Sequence, residues 1–418
     1  MSVFSFSPQV LELEQAAMTH CAPAFARIDQ IAAQNTRKVL EAFHRHRVSE
    51  MHFAGSTGYG LGDPGREVLD KVFADLFGGE AGFVRIGLVS GTHAITSALF
   101  GMLSPGQTLL HVTGKPYDTL HGVIGLSGDH HGSMKHYGIG YAQVEPSADG
   151  SPDLDAIRIA ACQGDVGVLA IQRSRGYSTR KSLTIDEIAV ICKIVRDVNP
   201  KVPIFVDNCY GEFVETREPL EVGADLIAGS LIKNPGGGLA PSGGYIVGRA
   251  DLVEAAANAA TAPGLQGEYG ATLGQNRLFF QGLFLAPHTV AQAMKTAVFA
   301  SAVMESLGYI ADPRPLDVRT DIVQMLRFDK ADALIRFCRG IQQGAPVDAY
   351  VTPEPGPMPG YDCPVIMAAG AFHQGSTIEL SADAPLREPY SAYLQGGLTF
   401  ESGKLGVLSA AALLLSES

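Results

Sequence analysis

Apolar residues along this chain fall into two kinds of run. Val166–Ile171, Val202–Val206 and Leu226–Ala228 are short blocks, apolar throughout and rich in branched side chains, and Leu109–Val112 is a similar run broken only by His111. A block with no polar alternation reads as a strand buried on both faces, as in a parallel sheet covered by helices. Gly243–Gly248 reads as a returning strand. Between these lie stretches with helical spacing, Ala94–Leu103, Ile185–Val198 with Thr184 as its N-cap, and Ala255–Ala260. Alternation of the two kinds from about residue 85 to 250 predicts an α/β fold, a mainly parallel sheet flanked by helices.

The ends of the chain read differently. Val10–Met18 and Phe25–His44 have loosely amphipathic helical spacing, which predicts a helical N-terminal arm over residues 1–50. The basic cluster His44–Arg47 suits a solvated helix C-terminus. A large domain is expected over 51–295, closed by a long apolar helix, Gly282–Leu307. The rest, 296–418, reads as a smaller α+β domain with a strand-like Asp321–Phe328, a helix-like Lys330–Gln343 and a rigid proline-rich loop, Pro353–Pro364. At 418 residues, more than one domain is expected in any case.

Composition narrows the function. A net charge of −12 disfavours nucleic acid and anionic membranes, which need basic patches. The six cysteines are scattered without a C-x-x-C pair, and there is neither an 18-residue apolar run nor a basic-then-apolar N-terminus, so a reduced, cytoplasmic, soluble protein is expected. Asp129-His130-His131 with His136 lacks helical His-x-x-x-His spacing and reads as a solvated loop, so no metal is expected.

Three stretches carry chemistry. In G-S-L-I-K-N-P-G-G, an apolar segment ends in Gly229-Ser230, Lys233 follows three residues after the serine, and Pro235 with three glycines stops regular structure. A strand end of this kind presents a lysine, and a lysine in a partly dry pocket is a usable amine nucleophile. The Val202–Val206 strand ends on Asp207, where open α/β sheets place ligands. Val89-Ser90-Gly91-Thr92-His93-Ala94 opens a helix and offers backbone N–H groups to a phosphate. Taken singly, the lysine also reads as a surface lysine in a glycine-rich loop.

Together the strings S-G-T-H-A, G-K-P-Y-D-T-L, Q-R-S-R-G-Y, V-D-N-C-Y-G-E-F, G-S-L-I-K-N-P-G-G and L-R-E-P-Y resemble the aluminium-resistance family of fold-type I pyridoxal-phosphate enzymes, related to methionine γ-lyase and cystathionine β-lyase. The resemblance implies a carbon–sulfur lyase acting on a sulfur-containing amino acid by β- or γ-elimination, as a homodimer or homotetramer with a shared active site. It implies that Lys233 holds pyridoxal 5'-phosphate, Asp207 pairs with the pyridine nitrogen, Ser90, Gly91, Thr92 and Ser230 hold the phosphate, and Tyr117 stacks on the ring. In the loop Gly55–Arg66, Tyr59 and Arg66 would reach a neighbouring subunit's cofactor phosphate, though more widely spaced than the Tyr-x-Arg of better-known lyases. An aminotransferase or decarboxylase would keep every one of these cofactor residues, and a non-catalytic protein on the same fold stays open. A nicotinamide dehydrogenase lacks its G-x-G-x-x-G after the first strand.

The substrate side departs from the pattern. Where the related lyases have R-L-S-V-G, with an arginine for the substrate carboxylate, this chain has Ile378-Glu379-Leu380-Ser381-Ala382. A glutamate cannot bind a carboxylate. Arg387, eight residues on, or Arg173 is then expected to take that role, by bidentate guanidinium–carboxylate pairing, unless the substrate is no ordinary α-amino acid. Arg175, Arg180 and Tyr177 share Arg173's basic strand end and are further candidates for contact with substrate or cofactor.

Overall fold

A computed structural model describes residues 4–128, 131–358 and 363–416. Asp129 and His130 of the histidine-rich stretch and four residues of the proline-rich loop lie outside them. Two compact units result: one is Thr36–Leu231 with Leu239–Phe284, the other the chain up to Asn35, Ile232–Gly238 and the chain from Leu285.

In chain order the elements begin with α1 (Pro8–Arg45), α2 (Pro64–Phe77), β1 (Ala81–Arg85), α3 (Gly91–Met102), β2 (Thr108–His111), α4 (Asp118–Ile124) and β3 (Gly140–Gln143). Then come α5 (Leu154–Ala161), β4 (Val166–Gln172), α6 (Ile185–Val198), β5 (Ile204–Asp207), β6 (Leu226–Ser230), β7 (Gly244–Gly248) and α7 (Ala250–Ala260). After α8 (Asn276–Ser306) follow β8 (Ile310–Asp312), β9 (Gln324–Arg327), α9 (Ala331–Gln343), β10 (Val365–Ala369), β11 (Ser381–Pro385), β12 (Ser391–Gln395) and α10 (Phe400–Leu415).

The first unit holds a seven-stranded sheet among its described residues, ordered β1-β7-β6-β5-β4-β2-β3. β6, β5, β4, β2 and β3 are mutually parallel, while β7 runs antiparallel to β6 and β1 antiparallel to β7. This is the sheet expected from the apolar blocks. α3 covers it with Ala94, Ile95, Ala98 and Leu99, packed with Val168, Phe205, Leu226 and Ile246 from the strands. Each large side chain buried this fully contributes roughly 2 kcal/mol. α6 begins as anticipated at Thr184, whose hydroxyl accepts from the Glu187 N–H while the Glu187 side chain returns to Thr184.

The second unit has a five-stranded antiparallel sheet among its described residues, ordered β10-β11-β12-β9-β8. α9 and α10 lie so close that a Cβ on Gly340 would stand 2.2 Å from Ala410 Cα and one on Gly344 2.2 Å from Gly406 Cα. Both N-terminal stretches belong to one helix, α1, running through Pro23, with Val10, Ala17, Cys21, Ala24 and Ile28 on one buried stripe. α7 and α8 start earlier than expected, at Ala250 instead of Ala255 and at Asn276 instead of Gly282.

Candidate active site

β4, β5 and β6 run in a register that sets Gln172 beside Asp207 and Asp207 beside Ala228. Ser230, the last residue of β6, pairs with Gly244 of β7. Gln172, Asp207 and Ser230 therefore leave the sheet along its C-terminal edge, where α/β sheets take ligands. α3 opens against the same edge. A Cβ on Gly91 would stand 3.1 Å from Ser230 Cβ and 3.4 Å from Cys209 Sγ, an approach that glycine makes easy.

Ser90 caps this helix, its Oγ accepting from the His93 N–H at 3.1 Å. Thr92 Oγ1 lies 2.8 Å from Thr119 Oγ1 in α4. The first N–H groups of a helix lack acceptors within it, and such a turn can take an anion. Ser90, Gly91, Thr92, Ser230 and the Asp207 segment thus come together in one unit.

Asp207 is buried, and its Oδ1 accepts from the Cys209 N–H at 3.1 Å. Tyr117 is half-buried just after β2. Its N–H donates to Gln172 Oε1 at 2.9 Å, and its ring lies against Gly176 and 5.6 Å from the Tyr177 ring centroid. Gln172 went unnoticed in the sequence, although it opens the Q-R-S-R-G-Y string. Besides holding Tyr117, it donates Nε2 to Ser174 O, and its own carbonyl accepts from Arg180 Nη2. His111, buried at the end of β2, donates from Nδ1 to Gly114 O at 2.7 Å and so shapes the turn that leads to Tyr117. Burial pushes its imidazole down to about 4, with Arg180 adding to the fall and the Gly114 bond opposing it.

Two arginines expected at ligands are braces instead. Arg173 is wholly buried: Nη1 donates to Asn208 Oδ1 at 2.9 Å and Glu218 Oε2 at 3.3 Å, and Nη2 to Glu215 Oε1 at 3.1 Å. Arg66 is 1% exposed, with Nη1 donating to the carbonyls of Gly60 and Gly270 and Nη2 to that of Glu268. A guanidinium so committed ties the Gly55–Gly62 loop to the 264–274 loop and does not extend outward. Tyr59 does: it is 76% exposed, its ring edge-on to Tyr269 at 5.8 Å. Arg175 and Arg180 are also buried.

Lys233 follows Ser230 by three residues along the chain and belongs to the second unit. It is half-buried and caps a short 3-10 turn, Asn234–Gly236. Within that unit Ser376 Oγ donates to Ile232 O at 2.9 Å and Thr289 Oγ1 to Gly237 O at 3.3 Å, so the backbone on both sides of the lysine is fixed. Glu379 is buried there, accepting from the N–H groups of Phe372 at 2.7 Å and His373 at 3.0 Å. It orders a loop, which agrees with its being no carboxylate receptor. Arg387 is exposed two residues past β11.

These residues fit pyridoxal phosphate. The glycine-lined first turn of α3 suits its phosphate, the buried Asp207 carboxylate a protonated ring nitrogen, and the face of Tyr117 a flat ring. Among the described residues no helix is long and apolar enough to cross a membrane, and no cluster of three or more His, Cys, Asp or Glu could hold a metal.

Comparison with known proteins agrees. Protein YnbB of Bacillus subtilis, uncharacterized, is 50% identical over 392 residues, 94% of this chain and 93% of its own. A solved structure from Clostridium novyi NT, named a carbon-sulfur lyase involved in aluminum resistance, is 49% identical, superposes with a TM-score of 0.94 and covers 98% of this chain and 96% of its own. The pyridoxal-5'-phosphate dependent protein YhfS of Escherichia coli shares the fold at 20% identity, with a TM-score of 0.61 over 91% of this chain and 95% of its own. Residues 10–415 match the family model described as methionine gamma-lyase, and the chain belongs to that family of pyridoxal-phosphate-dependent lyases.

Proposed function

We propose that this protein is a carbon–sulfur lyase that cleaves a sulfur-containing amino acid, of the methionine or cystathionine kind, at its β or γ carbon, releasing a thiol, ammonia and a keto acid. The observation that carries the reading is the junction of the α3 first turn with Ser230 and the Asp207 segment at the sheet edge, with Lys233 three residues further along. When bound, the cofactor supplies an electron sink for charge developing at the substrate α-carbon. Lys233 anchors it, and its Nζ then takes the proton from that carbon and delivers it to the departing sulfur. Asp207 holds the proton on the ring nitrogen. Ser90, Gly91, Thr92 and Ser230 hold the phosphate, and Tyr117 orients the ring. Arg387 receives the substrate carboxylate, since Arg173 is committed elsewhere and Glu379 is anionic. The active unit is a homodimer or homotetramer in the cytoplasm, with the exposed Tyr59 facing a second copy.

The test begins with the absorbance of the purified protein titrated with pyridoxal phosphate, for the wild type and Lys233→Ala. A visible-violet band present in the first and missing in the second is expected. Release of thiol together with keto acid from methionine, cystathionine or cysteine should follow. A wild type that takes up no cofactor, or one that takes it up and yields only a transaminated or decarboxylated product, would overturn the proposal.

A further inference from the structure

Directly behind Asp207, the segment Asn208–Phe213 leaves the sheet through an improbable backbone. Tyr210 and Phe213 have φ of 72° and 63°, left-handed values that non-glycine residues rarely adopt, and both are buried. Such a backbone persists only where its surroundings over-determine it. The surroundings here are a connected polar cluster. Asn208, wholly buried, accepts from Arg173 through Oδ1 and donates from Nδ2 to Glu218 Oε2 at 3.0 Å, while Glu218 Oε1 accepts from the Phe213 N–H at 3.0 Å. Thus one carboxylate grips both ends of the turn. Arg173 fills it as a peg: a Cβ on Gly211 would stand 2.5 Å from Arg173 Cδ, and the Arg173 N–H donates to Asp207 O at 3.1 Å. The second residue of the turn is Cys209, whose N–H is the one that donates to Asp207 Oδ1.

We infer that Arg173, Asn208 and Glu218 are positioning residues for the cofactor, acting through the turn and its Cys209 N–H to fix the direction in which the Asp207 carboxylate points. This rests on the reading of Asp207 as the partner of the ring nitrogen. It also accounts for why the strand end is so basic in an acidic protein: Arg173 supports the site from behind instead of lining it. A brace that served stability alone would need no strained turn adjoining the strand's last residue.

The experiment is a double-mutant cycle on pyridoxal phosphate affinity, read by cofactor fluorescence, with Asn208→Ala, Asp207→Ala and the double variant. The pH midpoint of the bound cofactor's absorbance is followed in parallel. If the brace acts through Asp207, Asn208→Ala weakens binding roughly tenfold, the range typical of a support behind a ligand, and shifts the pH midpoint. In the Asp207→Ala background it then has no further effect. Equal losses in both backgrounds, or an unchanged constant and midpoint in Asn208→Ala, overturn the inference. Should Asn208→Ala not fold, Glu218→Gln, which keeps shape and removes the charge, is carried through the same cycle with the same criteria. A wild type that binds no pyridoxal phosphate removes the underlying reading itself, and the inference with it, an outcome distinct from every arm above.

Discussion

His111→Asn tests the electrostatics of the turn beneath Tyr117. In the folded protein burial holds His111 neutral down to about 4, whereas the unfolded chain titrates near the ordinary 6.5. Between those values the unfolded state binds a proton that the folded state refuses. Stability from this group is therefore whole above pH 6.5, falls as pH drops toward 4, and falls no further below that. At 1.36 kcal/mol for each pH unit the full loss is on the order of 3 kcal/mol. An asparagine amide stands where Nδ1 stands, so it keeps the donation to Gly114 O and abolishes the titration. Urea midpoints at pH 7.5 and pH 4.5 give the comparison: the wild type should lose about 2–3 kcal/mol more than the variant between them. Parallel losses, within about 0.5 kcal/mol, would refute the assignment of a buried neutral imidazole and with it the account of the turn.

Two further substitutions probe the site and its departure from the related lyases. Gly91→Ala places a Cβ 3.1 Å from Ser230 Cβ, so the α3 first turn must retreat by a few tenths of an ångström; cofactor affinity, followed by absorbance, should fall about tenfold at an overpacking cost of roughly 1–3 kcal/mol in stability. Glu379→Arg restores the arginine of the R-L-S-V-G pattern but strips the Phe372 and His373 N–H groups of their acceptor and buries a cation; a loss of about 3–5 kcal/mol in chemical denaturation is expected, with no gain in substrate affinity.

The large sheet was readable because strands buried on both faces are apolar without interruption, and Asp207 stood out as the carboxylate that ends such a block. Elements that depend on small residues were not readable. α10 passed unnoticed because Gly403 and Gly406 look like helix breakers, yet a Cβ on Gly403 would stand 2.3 Å from Thr296 Oγ1 and one on Gly406 2.8 Å from Leu380 Cδ2, so both glycines serve its packing. α1 read as only loosely amphipathic for a related reason. Part of its buried stripe is alanine and cysteine, weak as a hydrophobic signal. β1 is five residues beginning Ala-Gly, too short and too mild to register.

The arginines show a different limit. A basic strand end in a chain of net charge −12 invites an anion, and the sequence offers no direct way to see that Arg173's partners lie 35 to 45 residues downstream. An indirect sign exists in Glu212, Glu215 and Glu218, three glutamates three apart following the Asp207 strand. Buried carboxylates are almost never left unpaired: Glu215 and Glu218 take Arg173 from the basic end of β4, adjacent to β5 in the parallel sheet, and Glu212 accepts from the Tyr245 hydroxyl. Burial raises the carboxyls of Glu215 and Glu218, and Arg173 opposes that rise in both. Of the two arginines considered for the substrate carboxylate, Arg173 is buried and committed to Asn208, Glu215 and Glu218, whereas Arg387 lies exposed two residues past β11, which is why the proposed function gives that role to Arg387.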